Sequence, residues 1–209
     1  MNENATDILL TIELFSSRMF HDFANSMSGV IFGIEELEFG DTSTRKEALF
    51  LIKESFNDLL AKYKIMKQAY SISDSNSCFS QTRSNIENYL LQKKIKLVWD
   101  IIGCNTQIDV IEKTNKIIAS IILTVSVAIA GIHEISIVLS NDMQDKMLLI
   151  IKVHSQFSKS FADKLNNKNK IDLDTKNINI YLTLLLLKCY NAEINFTHKD
   201  SSLEVTITI

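Results

Sequence analysis

Ser16-Ser17-Arg18-Met19-Phe20-His21-Asp22-Phe23-Ala24-Asn25 lies inside a long helical pattern that runs from about Thr6 to Leu37. The apolar residues Ile12, Phe15, Met19, Phe23, Met27, Val30, Ile34 and Leu37 recur at steps of three or four, so the spacing predicts one apolar face on one helix. His21 stands two positions from both Met19 and Phe23. At about 100° per residue that sets it opposite the stripe. Arg18 and Asn25, three and four positions away, share its exposed side, and Asp22 flanks it. An exposed histidine is most often just solvated. One ringed by a cation, a carboxylate and an amide is a candidate reactive group.

Around this helix the chain has 209 residues, 46% hydrophobic and 22% charged, the composition of a folded globular protein. A net charge of -3 with scattered Lys and Arg argues against nucleic-acid binding, which needs a basic face. Cys78, Cys104 and Cys189 are odd in number, far apart and without metal-ligand spacing, which points to a reduced, cytoplasmic setting. Met1 to Asp7 is polar and unlike a signal peptide. The uncharged run Ile117 to Ile132 is shorter than the ~20 residues of a spanning helix, so a buried core helix and no membrane role are expected.

Gly40 is a candidate helix stop, and Asp41-Thr42-Ser43 an N-cap for a second helix from Ser43 to about Tyr70. Its apolar positions Leu49, Ile52, Phe56, Leu59, Tyr63, Met66 and Tyr70 form a heptad-like seam. Two such helices joined by a short turn make an antiparallel hairpin. A lone hairpin leaves apolar surface open, and a second copy would close it as a dimeric four-helix bundle. The polar segment Ser71 to Thr82 is the expected boundary, giving domains 1–72 and 80–209.

Beyond it the pattern predicts a helix over Asn85–Lys94, a strand over Ile95–Trp99 and a helix over Glu112–Ala130. Strands over Glu134–Leu139 and Lys146–Val153 follow, flanking a turn at Ser140-Asn141-Asp142. Then come a helix over Gln156–Leu165, a loop over Asn166–Lys170 and a helix over Thr175–Tyr190. A terminal hairpin of Ala192–Thr197 with Leu203–Ile209 closes the chain, turning through Lys199 to Ser202. The class is α+β: a helical hairpin followed by a two-layer α/β sandwich.

The run His21-Asp22-Phe23-Ala24-Asn25 resembles the phosphoacceptor box of two-component dimerisation domains. With Ser17 to Phe23 and Gly29 to Leu37 it is similar to the ChpT-type histidine phosphotransferases of bacterial phosphorelays. The likeness is residue-specific only around His21 and one of pattern in the second half. Histidine kinases usually carry Pro after the Asn; here Ser26 stands there, so the helix should run on without a kink. The element order after residue 80 resembles the histidine-kinase ATPase fold. A nucleotide site needs glycine-rich loops and a metal-holding Asn on its long helix. All five glycines lie at or before Gly131, Lys152 to Lys159 has none, and Ile121 to Ser126 has no Asn. No ATP binding and no kinase activity are therefore expected, and ChpT-type proteins carry such a degenerate domain.

The resemblance implies a homodimer that shuttles a phosphoryl group between the aspartates of receiver domains, from a hybrid histidine kinase to downstream response regulators. His21 would be the phosphoacceptor through Nε2. Asp22 would orient the other ring nitrogen, Arg18 offset phosphoryl charge, and Asn25 hydrogen-bond near the site. Ser17, Phe20, Ala24 and Ser28 would form the receiver-docking face. Mg²⁺ would arrive with the receiver, so no bound cofactor or metal of the chain's own is expected. The remaining histidines, His133, His154 and His198, lack partners at metal spacing and are expected to be structural or solvated. The alternative is a non-catalytic dimeric adaptor that binds receivers through the same face.

Overall fold

A computed structural model describes residues 5–41, 43–72, 78–103, 107–141, 146–155, 173–199 and 202–209. It divides into two compact units, Met1–Lys64 and Ile65–Ile209.

The first unit is the hairpin. Helix α1 spans Ala5–Phe39, 35 residues without interruption, and α2 begins at Arg45 and runs to Tyr70. With Ser26 in place of Pro, every backbone N–H through the site is available to the helix. The Gly40 N–H bonds the Glu36 carbonyl at 3.0 Å and ends α1. Asp41 starts α2: its Oδ1 accepts from the backbone N–H of Ser43 at 2.9 Å and of Thr44 at 3.1 Å. These bonds, led by that from the Ser43 hydroxyl, hold the Asp41 carboxyl below its ordinary value.

The face that α1 turns to α2 overlaps the apolar stripe but is centred on small residues. Among the described residues of α1 only Ser26 and Gly33 are fully buried; Phe15, Met19, Phe23, Val30 and Leu37 of the expected stripe are half-buried, while Ile12, Met27 and Ile34 are 56%, 49% and 44% exposed. The reason is close approach. A Cβ on Gly33 would sit 2.6 Å from Ile52 Cγ1 and 3.1 Å from the Ala48 carbonyl, and one on Gly29 would collide with the Ser55 hydroxyl. Small residues let the helices touch backbone to side chain, which leaves Ile12, Met27 and Ile34 largely in solvent. Leu49, Phe56 and Tyr63 of the expected α2 seam are likewise about half exposed. Phe23, Met27, Phe56, Leu59, Leu60 and Tyr63 line an open apolar groove along the hairpin.

The second unit begins within α2. Ile65, Met66 and Ala69 are buried, and Gln68 donates to Thr82 Oγ1 at 2.6 Å, so the unit starts before the polar segment expected to separate the domains. In order follow α3 (Phe79–Gln92), β1 (Lys96–Ile102), α4 (Ile108–Ala128), β2 (Glu134–Asn141), β3 (Met147–His154), α5 (Ile178–Cys189), β4 (Glu193–Lys199) and β5 (Ser202–Thr208). Helix α3 starts six residues before its predicted start, inside the expected linker. Thr82 is fully buried against Gln68, and that burial overrides the local polarity of Ser80-Gln81-Thr82. Helix α4 starts four residues earlier than expected, α5 three later, and β1 runs three residues further. The helix expected over 156–165 and the loop over 166–170 lie outside the described residues, as does Asp142 of the predicted turn.

The strands form one mixed sheet in the order β1-β2-β3-β5-β4, with β1 and β2 parallel and the other pairs antiparallel. Alternation puts Ile135, Ile137, Leu139, Leu149, Ile151, Val153, Leu203, Val205 and Ile207 on one fully buried face. Ile117, Ile118, Ile121 and Ile122 of α4 are buried too, so the apolar run that raised the membrane question is core. Among the described residues no helix is long and apolar enough to cross a membrane. One set of polar groups enclosed by this core bonds internally: Thr183 of α5 meets Ser120 Oγ at 2.7 Å and Thr124 Oγ1 at 2.9 Å from α4.

Candidate functional site

The α1 periodicity does at His21 what the spacing predicts. Its side chain is 67% exposed, whereas those of Arg18 and Asp22 are only 21% and 23% exposed. Arg18 and Asp22 stand four apart on the helix, and Arg18 Nε donates to Asp22 Oδ2 at 3.0 Å. The other carboxylate oxygen, Oδ1, lies 3.6 Å from His21 Nδ1. The acid therefore faces one ring nitrogen and leaves the other, Nε2, to solvent. A neutral imidazole with its proton on Nδ1 carries its lone pair on Nε2, the form in which it is a nucleophile.

Asn25 is exposed one turn on, and among the described residues no hydrogen bond joins it to His21. Ser17, Phe20, Ala24 and Ser28, expected as a docking face, are all exposed, Phe20 by 65%. At steps of three and four they line the same side of α1 as His21. The Ser28 hydroxyl turns back to the Ala24 carbonyl at 2.9 Å, which keeps this side low in relief. Arg18 is engaged differently from the expectation. Its Nε is committed to Asp22, so only the outer nitrogens of its fork remain for an incoming anion.

Sequence reasoning missed three residues next to the site. Lys62 of α2 extends its ammonium to the Asp22 carbonyl at 3.2 Å, to Ser26 Oγ at 2.9 Å and to Asp58 Oδ2 at 2.7 Å. The Ser26 hydroxyl donates to Asp58 Oδ2 at 2.5 Å. A signal was available: Ala48, Ile52, Ser55, Leu59 and Lys62 follow steps of four and three, so a lysine falls on the seam where an apolar residue is usual.

Other candidate chemistry is dispersed. His133 and His154 have ring centres 6.2 Å apart, and among the described residues no group of three or more His, Cys, Asp or Glu side chains is placed to hold a metal ion. Glu134 beside them is bonded by Lys96 at 2.8 Å, which lowers its carboxyl below the usual value. Cys78 and Cys189 are exposed thiols, and the Cys78 thiol is lowered chiefly by the Ser80 hydroxyl bond. Cys104 lies outside the described residues. Helix α4 does carry an asparagine, Asn115, upstream of the span searched in the sequence. It is buried, and its amide donates to the Cys78 carbonyl at 3.3 Å.

No family model matches the chain, and no curated protein does. Among solved structures the chain is similar to a bacterial phosphotransferase at 18% identity, covering 99% of this chain and 98% of that one with a TM-score of 0.76. A blue-light-activated histidine kinase from Erythrobacter litoralis aligns at 12% identity over 78% of this chain and 55% of its own, with a TM-score of 0.49. A helical hairpin followed by a five-stranded mixed sheet layered with helices is thus the fold that this chain shares with a bacterial phosphotransferase.

Proposed function

We propose that this chain is a histidine phosphotransferase of a two-component phosphorelay, with His21 as the phosphoacceptor. The observation that carries the reading is the pairing of an imidazole that is 67% exposed with a carboxylate oxygen 3.6 Å from its Nδ1, so that Nε2 is the ring nitrogen left for attack. The fold shared with a bacterial phosphotransferase supports it. Nε2 attacks the phosphorus of an aspartyl phosphate on a receiver domain. The N–P bond forms as the bond to the aspartyl oxygen breaks, and the carboxylate leaves with the electron pair. The reverse step on a second receiver returns the imidazole. Such transfer depends on positioning and charge neutralisation. Asp22 holds the ring, the outer nitrogens of Arg18 meet the phosphoryl oxygens, and Asn25 hydrogen-bonds at the rim. The Mg²⁺ belongs to the receiver, which docks on Ser17, Phe20, Ala24 and Ser28. The apolar groove beside Phe56 takes the same groove of a second copy, giving a dimer with two histidines.

The test is transfer from a radiolabelled, phosphorylated receiver with Mg²⁺ and without ATP. Label is expected on the wild-type chain and not on His21→Ala. If the wild type binds phosphorylated receivers yet takes no label from any of them, the chain is a receiver-binding adaptor instead.

A further inference from the structure

Resting on the phosphotransfer reading, we infer that Lys62 is a positioning residue for His21, acting through Asp22 with Asp58 and Ser26 as its anchors. The ammonium of Lys62 has three hydrogens and meets three acceptors: the Asp22 carbonyl at 3.2 Å, Ser26 Oγ at 2.9 Å and Asp58 Oδ2 at 2.7 Å. Two of these lie on α1 and one on α2, and the Ser26–Asp58 bond closes the loop between the helices. Asp22 and Ser26 are one helical turn apart, so the turn that follows His21 is fastened to α2 at both ends.

The consequence reaches the ring. With its backbone held by Lys62 and its Oδ2 by Arg18, Asp22 presents Oδ1 to His21 Nδ1 in one place. An acceptor there favours the Nδ1–H tautomer and leaves Nε2 free to attack, which is how a neighbouring carboxylate sets the chemistry of an imidazole. Stability alone gives little reason for the arrangement. Partly buried ion pairs contribute little net stability over apolar packing, and every other residue of this stretch of the α2 seam is apolar or small. The polar knot sits at the turn of α1 that directly follows the reactive histidine.

The experiment uses the full chain labelled with ¹⁵N-histidine, with the His21 signals identified by comparison with His21→Gln. Lys62→Met keeps the length and apolar stem of the side chain. It is expected to lower the Nδ1–H share of His21 toward that of free histidine, with no receiver present. Transfer from a phosphorylated receiver should slow by about tenfold or more. Lys62→Arg, which keeps the charge and the donors, should recover most of both. Circular dichroism and light scattering verify that helix content and mass match the wild type. An unchanged tautomer ratio in Lys62→Met overturns the inference even if transfer slows, because Lys62 would then serve packing only. Should Lys62→Met fail to fold, Ser26→Ala removes a single hydroxyl of the knot and must shift the same ratio, or the inference falls. A wild type that takes no label while its tautomer responds to Lys62→Met would instead refute the phosphotransfer reading and leave the coupling from Lys62 to His21 intact.

Discussion

Asp22 is the residue on which the site turns, because among the described residues it is the one in contact with Arg18, His21 and Lys62 together. Its partner on α1 was legible from the sequence, since residues four apart on a helix must be neighbours. Its partner on α2 was not, since forty positions separate Asp22 from Lys62 and only the pairing of the helices sets their register. A second single-residue effect is readable at Asp41. Hydrogen bonds from Ser43 and Thr44 hold its folded-state carboxyl below the ordinary value. A depressed carboxylate contributes stability above its unfolded pKa, and the contribution is lost as pH falls through the folded value. The melting-temperature gap between wild type and Asp41→Ala should therefore be full above pH ~4 and close as pH falls below that. A gap independent of pH between 6 and 2.5 would show that the cap bonds contribute nothing through the charge.

Elements were legible where one periodicity ran long. Helix α1, 35 residues without proline, and the strictly alternating β5 matched their patterns closely. The start of α3 was not legible, because Thr82 is helical on account of a bond to Gln68 in another helix. The inward face of α1 was legible in part: Phe15, Met19, Phe23, Val30 and Leu37 are half-buried, but hydrophobicity does not mark the closest contacts, which glycine and serine make. Gly33→Ala tests this directly. Alanine gains about 1 kcal/mol of helix propensity over glycine. Its Cβ meets the stem of Ile52 and the Ala48 carbonyl, however, and overpacking costs about 1–3 kcal/mol. A net loss of about 1 kcal/mol is expected in denaturant unfolding; a gain would mean that the helices separate freely. Thr183→Val in α5 should cost about 1–3 kcal/mol, because Ser120 and Thr124 lose their buried partner, and thermal unfolding measures it.

For the molecule entire, the distribution of exposed apolar residues carries the expectation. Met27, Phe56, Leu60 and Tyr63 are all more than a third exposed and line one open apolar groove of the hairpin, the kind of surface that marks an interaction site. On the proposed dimer, wild type should have twice the chain mass in native mass spectrometry, and Phe56→Glu should give a monomer with unchanged helix content. A monomeric wild type at micromolar concentration would end the four-helix-bundle reading.

The sequence by itself determined the local layers of this protein: two long helices, an exposed His21 with Arg18 and Asp22 beside it, and, later in the chain, a core of alternating and helical apolar residues. Each follows from the 3.6- and 2-residue periods, which act over a few neighbouring positions. Only the tertiary structure decided which residues of α1 make the closest contacts, where the second unit begins, and that Lys62, Asp58 and Ser26 fasten the turn after His21. Those features depend on the pairing of residues thirty to forty positions apart. No local period encodes that pairing, and it is set by how closely two backbones can approach.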